Sequence, residues 1–330
     1  MIQPAADPLL LLAAGLAVDA WFGDMPALFS RIPHPIVLAG RVVAFFDHKL
    51  NRDIRSEDSR RLRGVITLVV LVGGAATLGF AIRQLCRGSL AGAAVEILLI
   101  AILLAQRSLF EHVAEVACAL ADGGLATARD AVRHIVGRDP TSLDQHGVAR
   151  AAIESLAENF RDGVVAPVFW YLLLGLPGLF AYKTANTLDS MIGHRTPHYL
   201  AFGWASARFD DLANLVPARL SGLLIAAAAL FSRGGRPARA VAVMLRDGNK
   251  HRSLNAGWPE GAMAGALDLA LAGPRRYAEG VVADPWVGDG SARAGPADIS
   301  RALGLYKNAC LIEWGLIMGA WLAVHLSLRQ

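Results

Sequence analysis

Apolar and polar residues fall along this chain in long blocks rather than in short alternations. Gly64 to Ile82 holds no charged residue over nineteen positions, close to the ~20 apolar residues that cross a bilayer as a helix. Ser89 to Gln106 is a second such block, interrupted only by Glu96. The short link between them predicts a helical hairpin. Residues 309–327 form a terminal span with Glu313 in its first turn. Leu220 to Ser232 is uncharged but short, and reaches full span length only if Leu212 to Arg219 joins it, which places Arg219 inside. Val164 to Tyr182 is uncharged and long enough to cross, but Pro177-Gly178 breaks it near its end, so it either crosses or enters and returns. No alternating strand pattern and no fixed-period repeat occurs. The pattern predicts an all-α, polytopic helical membrane protein with roughly 4-6 membrane-associated helices.

Between these blocks the pattern changes. Met1 to Asp24 holds a short apolar helix. Its N-terminus lacks the basic start of a signal peptide, and the segment is expected to be retained. Pro33, His34 and Pro35 make a rigid turn before another apolar helix. KLNRDIRSEDSRRLRG is dense in charge and predicts a solvated connection. Arg107 to Asp139 predicts two amphipathic helices parted at Gly123-Gly124, with Arg129, Arg133 and Arg138 as phosphate candidates against the plainer account of a solvated face. Asp139-Pro140 stops that segment. Ser142 with Gln145 three residues on predicts a capping box for the next helix. On that helix Arg150, Glu154, Glu158 and Asp162 recur every four residues as one drifting polar stripe, beside an apolar face of Ile153, Leu156, Phe160 and Val164. Residues 233–307, rich in Gly, Pro and Arg, are expected to be a long polar loop. Residues 1–330 are taken as a single integral-membrane domain, with its core block at 139–220.

Composition agrees with the pattern: 54% of residues are hydrophobic and 18% charged, against about 25% charged in soluble domains. The net charge is +4 and the basic residues lie in the connections, as at the cytoplasmic edge of a membrane. No basic patch is interleaved with aromatics, which argues against nucleic acid. Cys86, Cys118 and Cys310 lie far apart with no CxxC, so neither zinc nor a disulfide framework is indicated; buried small apolar side chains are the expectation for all three.

The candidate chemistry lies in oxygen-bearing clusters beside the apolar blocks. One is Glu154, Glu158, Asn159 and Asp162. A second is Asn186 with Asp189, at i and i+3. The third is Asp210, Asp211 and Asn214. Carboxylate and amide oxygens at helical spacing suit magnesium, which keeps waters and shares phosphates. Any one cluster alone is accounted for by ion pairs with Arg150, Arg161 or Arg208. Lys183, Arg195, Arg208, Lys250, His251 and Arg252 stand close enough in sequence to hold phosphate. No Walker A loop, dinucleotide GxGxxG or GxSxG elbow is present. Two classes remain open on these grounds: a magnesium-dependent membrane enzyme acting on a phosphorylated substrate, and a transporter or structural membrane protein with buried ion pairs.

The residues RAAIESLAENFRDGVVAPVFWYLLLGLPGLFAYKTANTLDSMIG, ARFDDLANLVPARL and SLNAGWPEGAMAGAL closely resemble the CobD/CbiB family, the adenosylcobinamide-phosphate synthases of cobalamin biosynthesis. WFGDMP and HPIVLAGR match the family's opening. The likeness covers nearly the whole chain and is weakest after His48 and between Tyr277 and Arg301. Leu254 stands where the family usually has Pro, which removes a fixed backbone angle from that loop. The resemblance implies an ATP- and magnesium-dependent ligase that joins adenosylcobyric acid to (R)-1-amino-2-propanol or its O-phosphate as an amide. It implies Glu154, Glu158, Asp162 and Asp189 as catalytic, and Asp189, Asp210, Asp211 and Asn186 as magnesium ligands. Arg150, Asn159, Lys183, Arg208, Lys250, His251, Asn255, Trp258 and His34 are implied as substrate or phosphate contacts. It also implies a multi-pass protein of the inner membrane with its active site on the cytoplasmic side, alongside other late membrane enzymes of the pathway; long apolar faces permit a homodimer. The nearest rival on these motifs is a magnesium-dependent membrane prenyl- or CDP-alcohol-type transferase, and a non-enzymatic transporter or scaffold is the other.

Overall fold

The computed structural model describes residues 7–137, 139–277, 280–282 and 284–327. Fifteen α-helices follow in order: α1 Pro8–Phe22, α2 Pro26–Phe29, α3 Pro35–Leu50, α4 Glu57–Cys86, α5 Leu90–Leu103, α6 Gln106–Cys118, α7 Gly124–Arg133, α8 Gln145–Phe160, α9 Ala166–Leu174, α10 Leu176–Ile192, α11 Trp204–Ala213, α12 Leu215–Ala228, α13 Pro237–Asp247, α14 Gly257–Leu267 and α15 Pro296–Ser327. Among the described residues, strands form two short antiparallel pairs. In one, β1 (Leu271–Ala272) faces β4 (Trp286–Val287), with Leu271 opposite Val287; in the other, β2 (Arg275–Tyr277) faces β3 (Gly280–Val282). Three helical runs are long and apolar enough to cross a membrane: Glu57–Cys86, Leu90–Arg133 and Pro296–Ser327. A fourth is added if Trp204–Ala213 and Leu215–Phe231 form one broken span. The chain is a helical membrane protein, as its hydropathy pattern predicts.

The chain folds into two compact units. The first holds α1–α5, α9–α11 and the last turns of α15. Here α4 is the long central helix, started by Ser56, whose hydroxyl accepts from the Ser59 amide. The charged stretch expected to be a loop is therefore largely helical: Glu57 and Asp58 sit at the positive end of the α4 dipole, where acids stabilise. Ile66, Val69, Val70, Leu78 and Phe80 stay exposed along α4, as suits a helix solvated by acyl chains. The opposite side packs Leu68 with Val43, Leu188, Ile192 and Phe202.

The Val164–Tyr182 run is broken at Gly175, not at Pro177-Gly178. Gly175 has φ 69°, a left-handed conformation open chiefly to glycine. Pro177 lies in the first turn of α10, where its missing N–H has no helical partner to lose. The turn brings α10 onto α4: a Cβ at Gly79 would stand 2.8 Å from the Leu176 carbonyl oxygen and 2.9 Å from the Pro177 nitrogen.

The second unit holds α6–α8, α12–α14, the β pieces and most of α15. Its core contains Ile153, Leu156 and Phe160 of α8 with Met244, Met263 and Tyr306. Phe160 and Tyr306 meet edge to face at 5.4 Å, a geometry worth about 1 kcal/mol beyond area burial. The cap of α8 is Asp144, not Ser142: the Asp144 carboxylate accepts from the Gly147 amide at 2.6 Å. The 233–307 stretch is not a loop. It supplies α13 and α14, and α14 is buried along its whole length from Pro259 to Leu267. The amphipathic segment does part at Gly123-Gly124, through a π-turn at Ala119–Gly123. Glu313 lies buried in mid-helix rather than in a first turn, because α15 begins at Pro296. Cys118 is exposed, while Cys86 and Cys310 are half-buried.

Candidate functional site

In the first unit, α10 places Tyr182, Asn186 and Asp189 along one side of a helix by their i, i+4 and i+7 spacing, with Lys183 next to Tyr182 in the chain. Helix α11 brings Asp210, and Asn214 caps its end. The Tyr182 hydroxyl donates to Asn214 Oδ1 at 3.0 Å, and Asn214 Nδ2 donates to Asp210 Oδ2 at 2.9 Å. Asn186 Nδ2 donates to Asp210 Oδ1 at 3.5 Å. Tyr182, Asp210 and Asn214 are all buried. Trp170 of α9 donates to the Ala213 carbonyl at 3.1 Å and holds the end of α11 in place. Both carboxylate oxygens of Asp210 are thereby aimed by carboxamides, so the acid is fixed in direction. Asp211, one residue on, points elsewhere: it meets Arg208 at 3.4 Å on the outer side of α11, since neighbours in sequence do not share a helix face. Asp189 lies over Gly193 at the α10 terminus, where its carboxylate leaves no room for a Cβ.

His34 caps α3, its Nδ1 accepting from the Ile36 amide at 3.2 Å, and its ring meets Phe29 at 4.3 Å. Burial pushes the imidazole below its ordinary range, Asp24 opposes that shift, and the ammonium of Lys183 adds to it. The fold thus gathers His34 and Lys183 into one electrostatic neighbourhood, and Asn186 and Asp210 into direct contact.

In the second unit the acidic stripe of α8 divides by depth. Glu154 Oε1 accepts from the Ala272 amide at 2.8 Å, and Ala272 has φ 57°, a left-handed conformation costly for a residue with a Cβ. Glu158 stands 3.7 Å from Arg161, which forms a fork with Asp162 at 2.7 and 2.6 Å. That fork forms where α8 passes into a π-turn, Arg161–Val165. Asn159 donates to the Ser155 carbonyl and hydroxyl. Arg150 donates to the Ala292 carbonyl and lies over the Trp286 ring at 5.5 Å. Arg129 donates to the Leu143 carbonyl and Arg133 pairs with Asp130 at 3.3 Å; Arg138 lies outside the described residues.

The SLNAGWPE segment closes a second polar group in this unit. Ser253 Oγ accepts from the Asn255 and Ala256 amides at 3.3 and 3.2 Å, and His251 Nδ1 accepts from the Ser253 amide at 3.0 Å. These bonds shape the loop around Leu254. Asn255 Oδ1 accepts from Arg219 at 3.1 Å, and the Arg219 guanidinium lies 4.2 Å over the Trp258 ring. His251 Nε2 is 3.9 Å from Glu260 Oε1. Arg219 and Glu260 were not among the expected site residues, although a cation inside an apolar run was the signal for Arg219.

Asp247 gave no sequence signal. It is 1% exposed and takes a fork from Arg246 at 2.8 and 2.7 Å, Lys250 at 2.6 Å and the Gly288 amide at 2.8 Å. The Arg246 guanidinium holds the Asp247 carboxyl well below the usual carboxylate range, with Lys250 and the Gly288 amide adding to it against the effect of burial. Arg246 in turn reaches Asp289 at 2.8 Å, which Arg239 also contacts at 2.7 Å. Lys250 is thus engaged with Asp247, and Arg252 with Asp284 at 2.6 Å.

Among the described residues, no three His, Cys, Asp or Glu side chains gather as a ligand set for a metal ion. The oxygen-rich group that the fold does assemble is Asp210 between Asn186 and Asn214.

A family model described as CobD/CbiB protein matches residues 12–306. A protein of Sinorhizobium sp named Cobalamin biosynthesis protein CobD is 52% identical over 94% of this chain and 97% of its own length. Proteins of the same name from Rhodobacter capsulatus and Brucella suis biovar 1 are 48% and 47% identical, each over 94% of this chain and over 98% and 96% of their own lengths. No solved structure matches the fold. With a family model across most of its length and near-full-length relatives at about half identity, this chain belongs to the CobD/CbiB family.

Proposed function

We propose that this protein acts in cobalamin biosynthesis as a ligase, joining a side-chain carboxylate of adenosylcobyric acid to the amine of (R)-1-amino-2-propanol or its O-phosphate. Family membership supports the corrinoid substrate. The observation that carries the chemistry is the buried, direction-fixed carboxylate of Asp210 between Asn186 and Asn214.

A carboxylate is a poor electrophile and needs activation before an amine can attack it. In this reading a carboxylate oxygen of the corrinoid attacks the terminal phosphorus of ATP and ADP leaves. The amine then attacks the acyl carbon, and phosphate leaves as the C–N bond forms. Lys183 holds phosphate oxygens as a cation on the same helix as Asn186. Asp189 takes the proton that the attacking amine sheds, and Asn186 orients an oxygen. The donor chemistry suits magnesium, which takes one or two carboxylates when phosphates fill the rest of its shell; Asp210, with the Asn186 carboxamide, would hold it. When bound, the ion supplies charge neutralisation at the transferring phosphoryl group.

The test is a product assay on the purified chain in detergent with adenosylcobyric acid, each amine in turn, ATP and magnesium, with corrinoids resolved by mass. The expected result is an amide product formed in step with ADP. Release of CMP or diphosphate instead, or no product with either amine, overturns the reading.

A further inference from the structure

The second unit carries a cleft of about 320 Å³ whose walls include Phe231, Arg233, Arg301, Gly304, Lys307 and Asn308. That volume lies at the small end of the ~300–1,000 Å³ of ligand pockets. Its position follows from where charge starts and stops. The stretch Leu220 to Ser232 is uncharged and charge resumes at Arg233; on α15 the order is reversed, with Arg301 and Lys307 preceding the apolar Ala309–Ser327. Asn308 Nδ2 donates to the Ser232 hydroxyl at 3.0 Å and the Phe231 carbonyl at 3.4 Å. The two boundaries are therefore pinned side by side.

The polar wall is basic. Arg301 is positioned by Asp298 at 3.0 Å and donates to the Leu267 carbonyl at 3.2 Å. The Lys307 ammonium rests 4.2 Å over the Phe110 ring, and Arg233 is exposed at the rim. Three cations, Arg233, Arg301 and Lys307, thus line the cleft. The floor is open: a Cβ at Gly304 meets nothing within 4 Å, although a glycine inside a helix is unfavourable relative to alanine. Leu230, Phe231 and Leu311 beside the cleft are 67%, 73% and 67% exposed.

We propose that this cleft binds the phosphate headgroup of an anionic phospholipid. A phosphate oxygen set matches two guanidinium groups and an ammonium, and basic clefts beside membrane spans favour anionic headgroups. A free phosphate compound shares that chemistry. The exposed Leu230, Phe231 and Leu311 favour the lipid, because acyl chains leaving the headgroup would cover them.

The full chain, delipidated in neutral detergent, is titrated with dioleoylphosphatidylglycerol, dioleoylphosphatidylcholine or inorganic phosphate and followed by native mass spectrometry. Phosphatidylglycerol is expected to bind at least about tenfold more tightly than phosphatidylcholine. Arg233→Gln and Lys307→Gln should each weaken it about fivefold, and together about thirtyfold, at roughly one surface charge's worth of attraction apiece. Gly304→Leu, which fills the floor, should abolish the preference while the lipid-free melting temperature holds. Equal retention of the two lipids, undiminished binding by the double variant, or displacement of the lipid by inorganic phosphate at matched concentration each overturns the proposal.

Discussion

Asp210 in the first unit and Asp247 in the second are both nearly sealed from solvent, at 7% and 1% exposure, yet they are held by different kinds of group. Asp210 is aimed by the Asn186 and Asn214 carboxamides. Asp247 is gripped by Arg246, Lys250 and the Gly288 amide, and it ties the end of α13 to a glycine 41 positions away. Carboxamides fix where a carboxylate points; guanidinium and ammonium groups also offset its charge. Burial alone therefore does not distinguish the two acids, and the groups that hold them do. The same distinction divides the α8 stripe, where Asp162 is spent on the Arg161 fork and Glu154 on the Ala272 amide.

The sharpest way to break this contrast is Asp247→Ala, which strands a buried amide and uncouples two cations. About 3 kcal/mol of stability should be lost, a large share of the ~5–15 kcal/mol of a typical domain. Thermal unfolding in detergent reads it, and an unchanged melting temperature would remove Asp247 from the framework. Next comes Asp210→Asn, which keeps shape and permits the neighbouring carboxamides to reorient. Corrinoid product formation should fall by about 100-fold, roughly 2.7 kcal/mol, with the melting temperature nearly unmoved. Retained activity would end its role in the proposed reaction.

Acid provides a third probe. The folded pKa of Asp247 is depressed below its unfolded value, so the native state binds fewer protons there than the unfolded chain does. Its contribution is complete above about pH 5 and drains away as pH falls below the ordinary carboxylate range of ~3.9 toward the folded value. The stability gap between the wild type and Asp247→Asn should therefore narrow on acidification, while a gap independent of pH would contradict the ion-pair account. The smallest expected effect is that of Tyr182→Phe, which deprives buried Asn214 of a donor. About 1 kcal/mol of stability is at stake, with a several-fold loss of product if Asn214 in turn steadies Asp210.

The apolar spans were legible because membrane solvation is written in composition and needs no partner: Gly64–Ile82 lies inside α4 and 309–327 inside α15. The 233–307 stretch reads as a loop for a matching reason. Helix α14 is small-residue-rich and buried all round, so it shows no polar face for a 3.6-residue period to reveal. Glycine and proline then look like loop residues when they are packing residues. At the site, the Asn186–Asp210 contact was suggested by residue type alone, and its geometry needed α10 and α11 to pack. Asp247 was hidden because it follows Arg246 directly, a spacing that ordinarily puts two side chains on different faces, and because Gly288 is distant in sequence. Ser142 resembled a cap, but Asp144 is the residue immediately ahead of α8 and captures the Gly147 amide.

Gly79 offers no reactive atom, yet the chain after Gly175 rests its backbone there with no space for even a methyl group. Whatever orientation Asn186 and Asp189 have is inherited from the seat that α10 takes at that point. In a deep mutational survey, positions such as Gly79 should accordingly tolerate fewer replacements than several of the charged residues, and inactive variants there would say nothing about chemistry.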